Sequence, residues 1–305
     1  MQVDDLATAN AILKEWYDGQ PVPNQSYKKT PFLATVPKDE EAGGRLIPIP
    51  TQFEVGQGRS SDFALAQTNQ TPNQYAQFQL TRKKDYDIGT IDNELLEAAM
   101  SDKGAFLREG TNIVDGSVRG AMLSAASSCF RSGTGTIGRV STATAISTGV
   151  ITLNSPADVC QFAVGMTLQA NSSDGGTPRA ALGYVIARSI RNGTITVSAT
   201  WVGGAAGTPS GWTTSDYLLV QGDNNAKFSG LPAWLPMTDP ATTDNFYGVN
   251  RSVDYRLYGV QYDGSGQPIE EALVDHSLLL AREGASISHF FTNYGSYSAL
   301  KKALG

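Results

Sequence analysis

The segment Gly133-Thr134-Gly135-Thr136-Ile137-Gly138 has the G-x-G-x-x-G spacing that lets a backbone wrap a dinucleotide pyrophosphate. That chemistry needs a strand before the glycines and a helix opening after them. Here a helical stretch comes first and no helix follows, so the motif fails its context. Ser298 and Lys301 have the S-x-x-K spacing of a serine nucleophile and its lysine, but nothing else of such a site is present. His276 and His289 fall in different elements, each with the setting of a structural histidine rather than a base. Asp85 with Asp87, or Glu270 with Glu271, could divide acid and base roles, yet each reads more simply as a solvated face. Arg82-Lys83-Lys84 is a short basic run, solvated or turned toward nucleic acid or an acidic neighbour. Cys129 and Cys160 lie in different apolar stretches and read as small buried hydrophobes with free thiols. No spacing resembles a metal site. Trp16, Trp201, Trp212 and Trp234 share no spacing and read as core. The expectation is a chain with no catalytic, cofactor or metal residues, and not an enzyme.

The bulk numbers set wide bounds. At 305 residues and 40% hydrophobic, the chain can bury a substantial core in about two domains. Its 32 Gly and 14 Pro imply many turns and much strand. A net charge of −6 without a basic tail argues against sequence-independent DNA binding as the main task. Met1-Gln2-Val3-Asp4-Asp5 starts no apolar leader, and no apolar run approaches the length of a span. The expectation is no signal peptide, no membrane segment, and folding in a cytoplasm.

The elements organise around one helical stretch. Asp92 caps a short helix over 93–100, Ser101-Asp102 marks a kink, and the helical period then runs on to Phe130. Gly110, Gly116 and Gly120 lie inside it, each costing about 1 kcal/mol relative to Ala. Gly116, Gly120, Ser124 and Ser127 form a smooth sector against which something packs closely, either the chain's own sheet or a second subunit. Before it, Leu6 to Tyr17 reads as a short helix and 18–44 as a proline-rich extended arm, with Phe32, Leu33 and Val36 as anchors. Residues 45–90 read as a long β-ribbon. Ile47, Ile49, Phe53 and Val55 lie on one side of its first strand. Phe63 and Leu65, then Ala76, Phe78 and Leu80, return along its second. A ribbon with an apolar side must lie on something, in its own subunit or a neighbouring one. Arg131 to Arg139 reads as linker. A β-rich block follows over 140–225, with strands at 150–153, 162–168, 184–190, 194–197 and 217–220 and a hairpin turn at Asn192-Gly193. Pro268 opens a second helix, Ile287 to Phe291 reads as a buried strand, and Asn293 precedes a last helix from Ser296 to Leu304, with Gly305 as its C-cap.

Local wording adds to this order. Tyr27-Lys28-Lys29-Thr30-Pro31-Phe32-Leu33, Gly43-Gly44-Arg45, Phe130-Arg131-Ser132-Gly133-Thr134-Gly135, Ser229-Gly230-Leu231-Pro232-Ala233-Trp234-Leu235-Pro236 and Pro268-Ile269-Glu270-Glu271-Ala272-Leu273 are similar to coat-protein sequences. Over nearly its whole length the chain resembles the major capsid protein of tailed bacteriophages, of the Hong Kong 97 type. The resemblance implies an α+β fold divided into an N-terminal arm (1–44), an extended loop (45–90), a peripheral domain with a spine helix (91–139), an inserted β-rich domain (140–225) and part of an axial domain (226–305). It implies a shell of pentamers and hexamers around packaged double-stranded DNA, assembled in a bacterial cytoplasm and ending in the virion. Scaffold, portal and decoration proteins would be further partners, with no cofactor and no membrane. Family members continue past the helix matching 296–304 with strands that complete the axial domain. Against that pattern this chain stops at Gly305, as a truncated product would. The candidate subunit-interface residues are Phe32, Ile47, Ile49, Phe53, Val55, Arg59, Phe63 and Phe78. The alternative is a non-catalytic decoration or surface-binding module built on the β block, which would need neither the long helix nor the ribbon.

Overall fold

The structure, a computed structural model, describes residues 31–37, 46–90 and 103–304. The helices expected over 6–17 and 93–100, most of the arm, and the Gly305 cap lie outside the described residues. In order, the elements are α1 (Pro31–Thr35), β1 (Leu46–Glu54), α2 (Phe63–Thr68), β2 (Gln74–Thr81), α3 (Lys103–Cys129), β3 (Thr136–Arg139), β4 (Val150–Thr152), β5 (Thr167–Asn171), β6 (Gly183–Ser189), β7 (Thr194–Ser198), β8 (Tyr217–Val220), α4 (Leu231–Trp234), α5 (Ile269–Arg282) and α6 (Tyr294–Ala303). This is a mixed α and β chain with two antiparallel sheets. It divides into two compact units, Met1–Thr35 with Lys83–Gly230, and Val36–Arg82 with Leu231–Gly305.

The first unit holds the better core. Its six strands run in the order β3-β8-β5-β6-β7-β4, with every pairing antiparallel. The two end strands also meet. Val140 bridges Leu153, Ser141 N–H donates to the Thr152 carbonyl at 2.8 Å, and Asn154 N–H donates to the Arg139 carbonyl at 2.8 Å. The sheet therefore closes on itself as a small barrel, which removes its edges. Its interior is filled by Val140, Ile151, Leu153, Val159, Phe162, Leu168, Val185, Ile195, Val197 and Leu218. Strands of this size bury one face, so inward residues alternate, as in the BiBi pattern of Thr136 to Arg139. Asp216 is buried but fully paired: Arg179 grips both its oxygens at 2.7 and 2.8 Å, and Thr213 N–H donates to it.

Several expectations change here. The stretch read as linker carries β3, so the block begins before residue 140. The three glycines of the G-x-G-x-x-G segment have structural duties. Gly133 and Gly135 have positive φ of 91° and 86°, and a Cβ on Gly135 would overlap the Asp223 carbonyl. A Cβ on Gly138 would meet the Phe162 ring. The strand expected over 162–168 starts only at Thr167, residues 156–161 form a 3-10 helix, and Cys160 on that helix is exposed rather than buried. Trp212 belongs to the core, but Trp201 is 62% exposed.

The smooth sector of α3 is covered by the chain's own extended segment 83–90, not by a sheet. Ser124 Oγ donates to Asp85 Oδ2 at 2.5 Å, a Cβ on Gly120 would run into Asp87, and one on Gly89 would meet Ser117 and Ile113. Gly116 has nothing near it. At the end of α3 the chain enters and leaves the barrel side by side. Gly230 N–H donates to the Arg131 carbonyl at 2.9 Å, and Asn225 N–H to the Thr134 carbonyl at 3.0 Å.

The second unit is built on the two-stranded ribbon β1–β2, the 3-10 turns at 251–257, and α5 and α6. Its core is small: Phe78, Val249 and Leu257, ringed by Phe53, Ala76, Leu80, Trp234, Phe246 and Tyr247. Arg251, 5% exposed, lies over the Phe246 ring at 4.0 Å and pairs with Asp244 at 2.9 Å. α5 begins at Ile269, directly after Pro268 in the N-cap position, and α6 is capped by Asn293 accepting from Ser296 N–H at 2.7 Å. Residues 287–291 are neither a strand nor buried. Their apolar side chains stand exposed.

Candidate assembly surfaces

The ribbon's register decides what each of its residues can touch. Ile47 faces Leu80, Ile49 faces Phe78 and Thr51 faces Ala76. These six side chains share one face because strand side chains alternate. The 78 end of that face is covered by the unit's own aromatic cluster, where Phe78 and Trp234 approach to 5.4 Å between ring centres. Phe78 is only 6% exposed and Phe53 is half-buried beside it. Both therefore serve the unit's own core, and Phe78 is removed from the surface a neighbour could reach. Ile47 is half-buried and Ile49 exposed.

The ribbon's tip differs from the expected return strand. Phe63 and Leu65 sit on the short helix α2, capped by Asp62, whose carboxylate accepts from Ala64 and Leu65 N–H at 2.8 and 3.3 Å. A six-residue helix cannot bury both faces of itself in a loop, so Phe63 stands 78% exposed, with Leu65 and Val55 also in solvent. Arg59 is exposed in the irregular segment between β1 and α2. The loop closes because Gly56 and Gly58 lack side chains that would strike Thr71 and Gln70. Thr71 N–H donates to the Gln57 carbonyl at 2.7 Å and Gly56 N–H to Asn73 Oδ1 at 2.7 Å. An open concavity of about 720 Å³ remains between Gly56–Arg59 and Gln67–Asn73. Phe32 belongs to the first unit, half-buried with its ring centre 5.1 Å from that of Phe130.

Sequence reasoning missed other exposed apolar groups. Val114, Val118 and Met122 form an i,i+4 stripe on the side of α3 away from segment 83–90, and Val274 and Leu278 do the same on α5. The spacing was readable, but an apolar stripe at helical period looks the same whether its own chain covers it or not.

The charged groups near α3 act as a lock rather than as chemistry. Lys227 Nζ reaches Asp85 Oδ2 at 2.8 Å, Asp223 Oδ2 at 3.3 Å and Ser124 Oγ at 2.8 Å. Burial pushes the Asp85 carboxyl up, but hydrogen bonds from Lys227 and Ser124 outweigh it and hold the group below its ordinary value. Burial dominates at Asp223 and raises it, despite the same lysine. Asp85 and Asp87 do not meet as an acid–base couple. Asp85 is spent on Lys227 and Ser124. His276 stacks on Tyr262, and His289 is bonded to Ser288. Among the described residues no group of three or more His, Cys, Asp or Glu could hold a metal ion, and no helix is long and apolar enough to cross a membrane.

No family model matches this chain, no curated protein matches its sequence, and no solved structure matches its fold. The geometry itself must carry any reading. It offers exposed apolar side chains on a ribbon tip and on helices in one unit and the other, and a closed barrel within the first.

Proposed function

We propose that this chain is a structural coat subunit of the Hong Kong 97 type, a major capsid protein. In this reading it self-assembles into pentamers and hexamers of an icosahedral shell around double-stranded DNA. The sequence resemblance is the starting point. The observation that carries it is the imbalance in the second unit. Among its described residues that unit buries three large apolar side chains, while Val55, Phe63, Leu65, Tyr75, Leu278 and Tyr294, among others, stand exposed. Monomeric proteins rarely leave so much apolar surface uncovered, and a shell covers it in every subunit. The ribbon tip, with Phe63, Val55 and Arg59, is the reading's main contact, with Ile47 and Ile49 along its stem.

The self-contained barrel favours a second reading, a non-catalytic decoration or surface-binding module, with exposed Trp201 as its contact. The 27-residue α3 and the ribbon have no task in that reading. Negative-stain microscopy with light scattering of the purified chain separates the two. Rings or closed shells are expected. A strictly monomeric protein at every concentration and salt tested would overturn the coat reading.

A further inference from the structure

The two edges of the ribbon are not alike. Pro48 and Pro50 stand opposite Gln79 and Gln77. Proline has no N–H, so these are the non-hydrogen-bonded pairs, and the proline nitrogens turn outward. A further strand docking on the β1 edge would find no donor at either position. By the same parity, Tyr75, Gln77 and Gln79 turn their main-chain N–H and C=O outward on the β2 edge. Gln79 N–H is used: it donates to the Tyr247 carbonyl at 2.9 Å. Among the described residues, nothing bonds the outward groups of Tyr75 and Gln77. Gly248, next to Tyr247, borders this edge at ordinary van der Waals range, where a Cβ would stand 3.9 Å from the Gln77 carbonyl oxygen.

We propose that this open edge, residues 74–77, pairs antiparallel with the same edge of a second copy about a two-fold axis at Ala76. In that register Tyr75 faces Gln77 of the second copy and Gln77 faces its Tyr75, so all four outward N–H groups find carbonyls. Ala76 faces its own counterpart in the non-hydrogen-bonded position. Sliding by two residues would waste one such pair or demand the Gln79 position, which Tyr247 already holds. The strand also leaves where it must. Before Gln74 the chain bends at Pro72 toward the β1 side, where Thr71 N–H bonds Gln57, so the second copy turns away before reaching Tyr247. The paired side chains, Gln74, Tyr75 and Gln77, carry no charge, so self-pairing opposes no like charges. Edges that must stay single carry proline or charge; β1 has that protection and β2 does not. The contact is isologous, and it rests on the self-assembly proposed above, naming one place where subunits meet. Four hydrogen bonds make it weak alone, and repetition in a shell strengthens it.

The test uses the full chain with Cys160→Ser, which removes the exposed thiol. Ala76→Cys is compared with Gln79→Cys under mild oxidation, on non-reducing gels. Non-hydrogen-bonded antiparallel partners lie about 4.5 Å apart between Cα atoms, inside the range a disulfide spans. The expected result is a dimer trapped several-fold more at position 76 than at 79. Adding Gln77→Pro, which removes an outward donor and leaves the β1 ladder intact, should cut that dimer several-fold with an unchanged circular dichroism spectrum. Equal trapping at 76 and 79, or a position-76 dimer indifferent to Gln77→Pro, would overturn the proposal. Light scattering on the parent chain keeps the two readings apart. Assembly without trapping at 76 sinks the edge contact alone, whereas no self-association under any condition sinks both.

Discussion

Excising the barrel tests the closure argument directly. Two fragments differ by one strand: residues 131–230, and residues 140–225, which lacks β3. The shorter fragment loses the pairing of Thr136, Gly138 and Arg139 with Leu219, Leu218 and Tyr217, and the Asn154–Arg139 bond, one of the three contacts that close the sheet. Some three to four main-chain bonds disappear, at about 1 kcal/mol net each. Leu218 and Leu219, fully buried in the whole protein, lose the strand beside them. Re-exposing part of each costs roughly 1–2 kcal/mol more. The total, on the order of 5–8 kcal/mol, is comparable to the entire stability of a small domain. The longer fragment should therefore show a cooperative thermal transition with a strand-type circular dichroism spectrum, and its ends should tolerate excision because they lie together at Arg131 and Gly230. The shorter one should be unfolded or melt without a sharp transition. Equal, cooperative melting of both would mean that β3 is an appendage to the barrel.

Within the longer fragment, Phe162→Ala should lower stability by about 3–5 kcal/mol, since the ring is fully buried against Gly138, and chemical denaturation measures it. In the full chain, Phe53→Asp should destabilise the second unit by placing a charge beside Phe78, whereas Phe63→Asp should leave both units folded and reduce assembly, as read by circular dichroism and light scattering. Acid unfolding should depend on Asp85. Its folded pKa is lowered, with Lys227 and Ser124 overcoming burial, so its contribution is present above the unfolded carboxylate value and lost as pH falls through the folded one. Asp85→Asn should flatten that acid limb. Asp223 is raised by burial, so stability is lost as pH rises through its folded value, and Asp223→Asn should remove that loss. Native thiol titration should find Cys160 fast and Cys129 slow, because Cys129 is buried and burial raises its pKa. Two fast thiols would mean that the end of α3 is open.

The sequence alone determined the elements whose signals are local. The β6–β7 hairpin follows from Asn192-Gly193, whose glycine takes the positive φ the turn demands. The starts of α5 and α6 follow from Pro268 and Asn293. The helical period after residue 105 and the alternation of β1 were also legible. Tertiary structure decided whatever depends on residues distant in sequence. A four-residue strand flanked by glycines carries too little pattern to be told from a linker, and β3 becomes a strand only because β8, some eighty residues on, lies beside it. Phe63 and Leu65 fit a strand by alternation, but the Asp62 cap and the closed tip make them a helix. The ribbon's apolar face was visible from alternation. That Phe53 and Phe78 spend it on their own unit was not, because Val249 and Leu257, which cover them, come from a segment more than 150 residues away. Alternation tells which side of a strand is apolar; only the fold tells what lies against it.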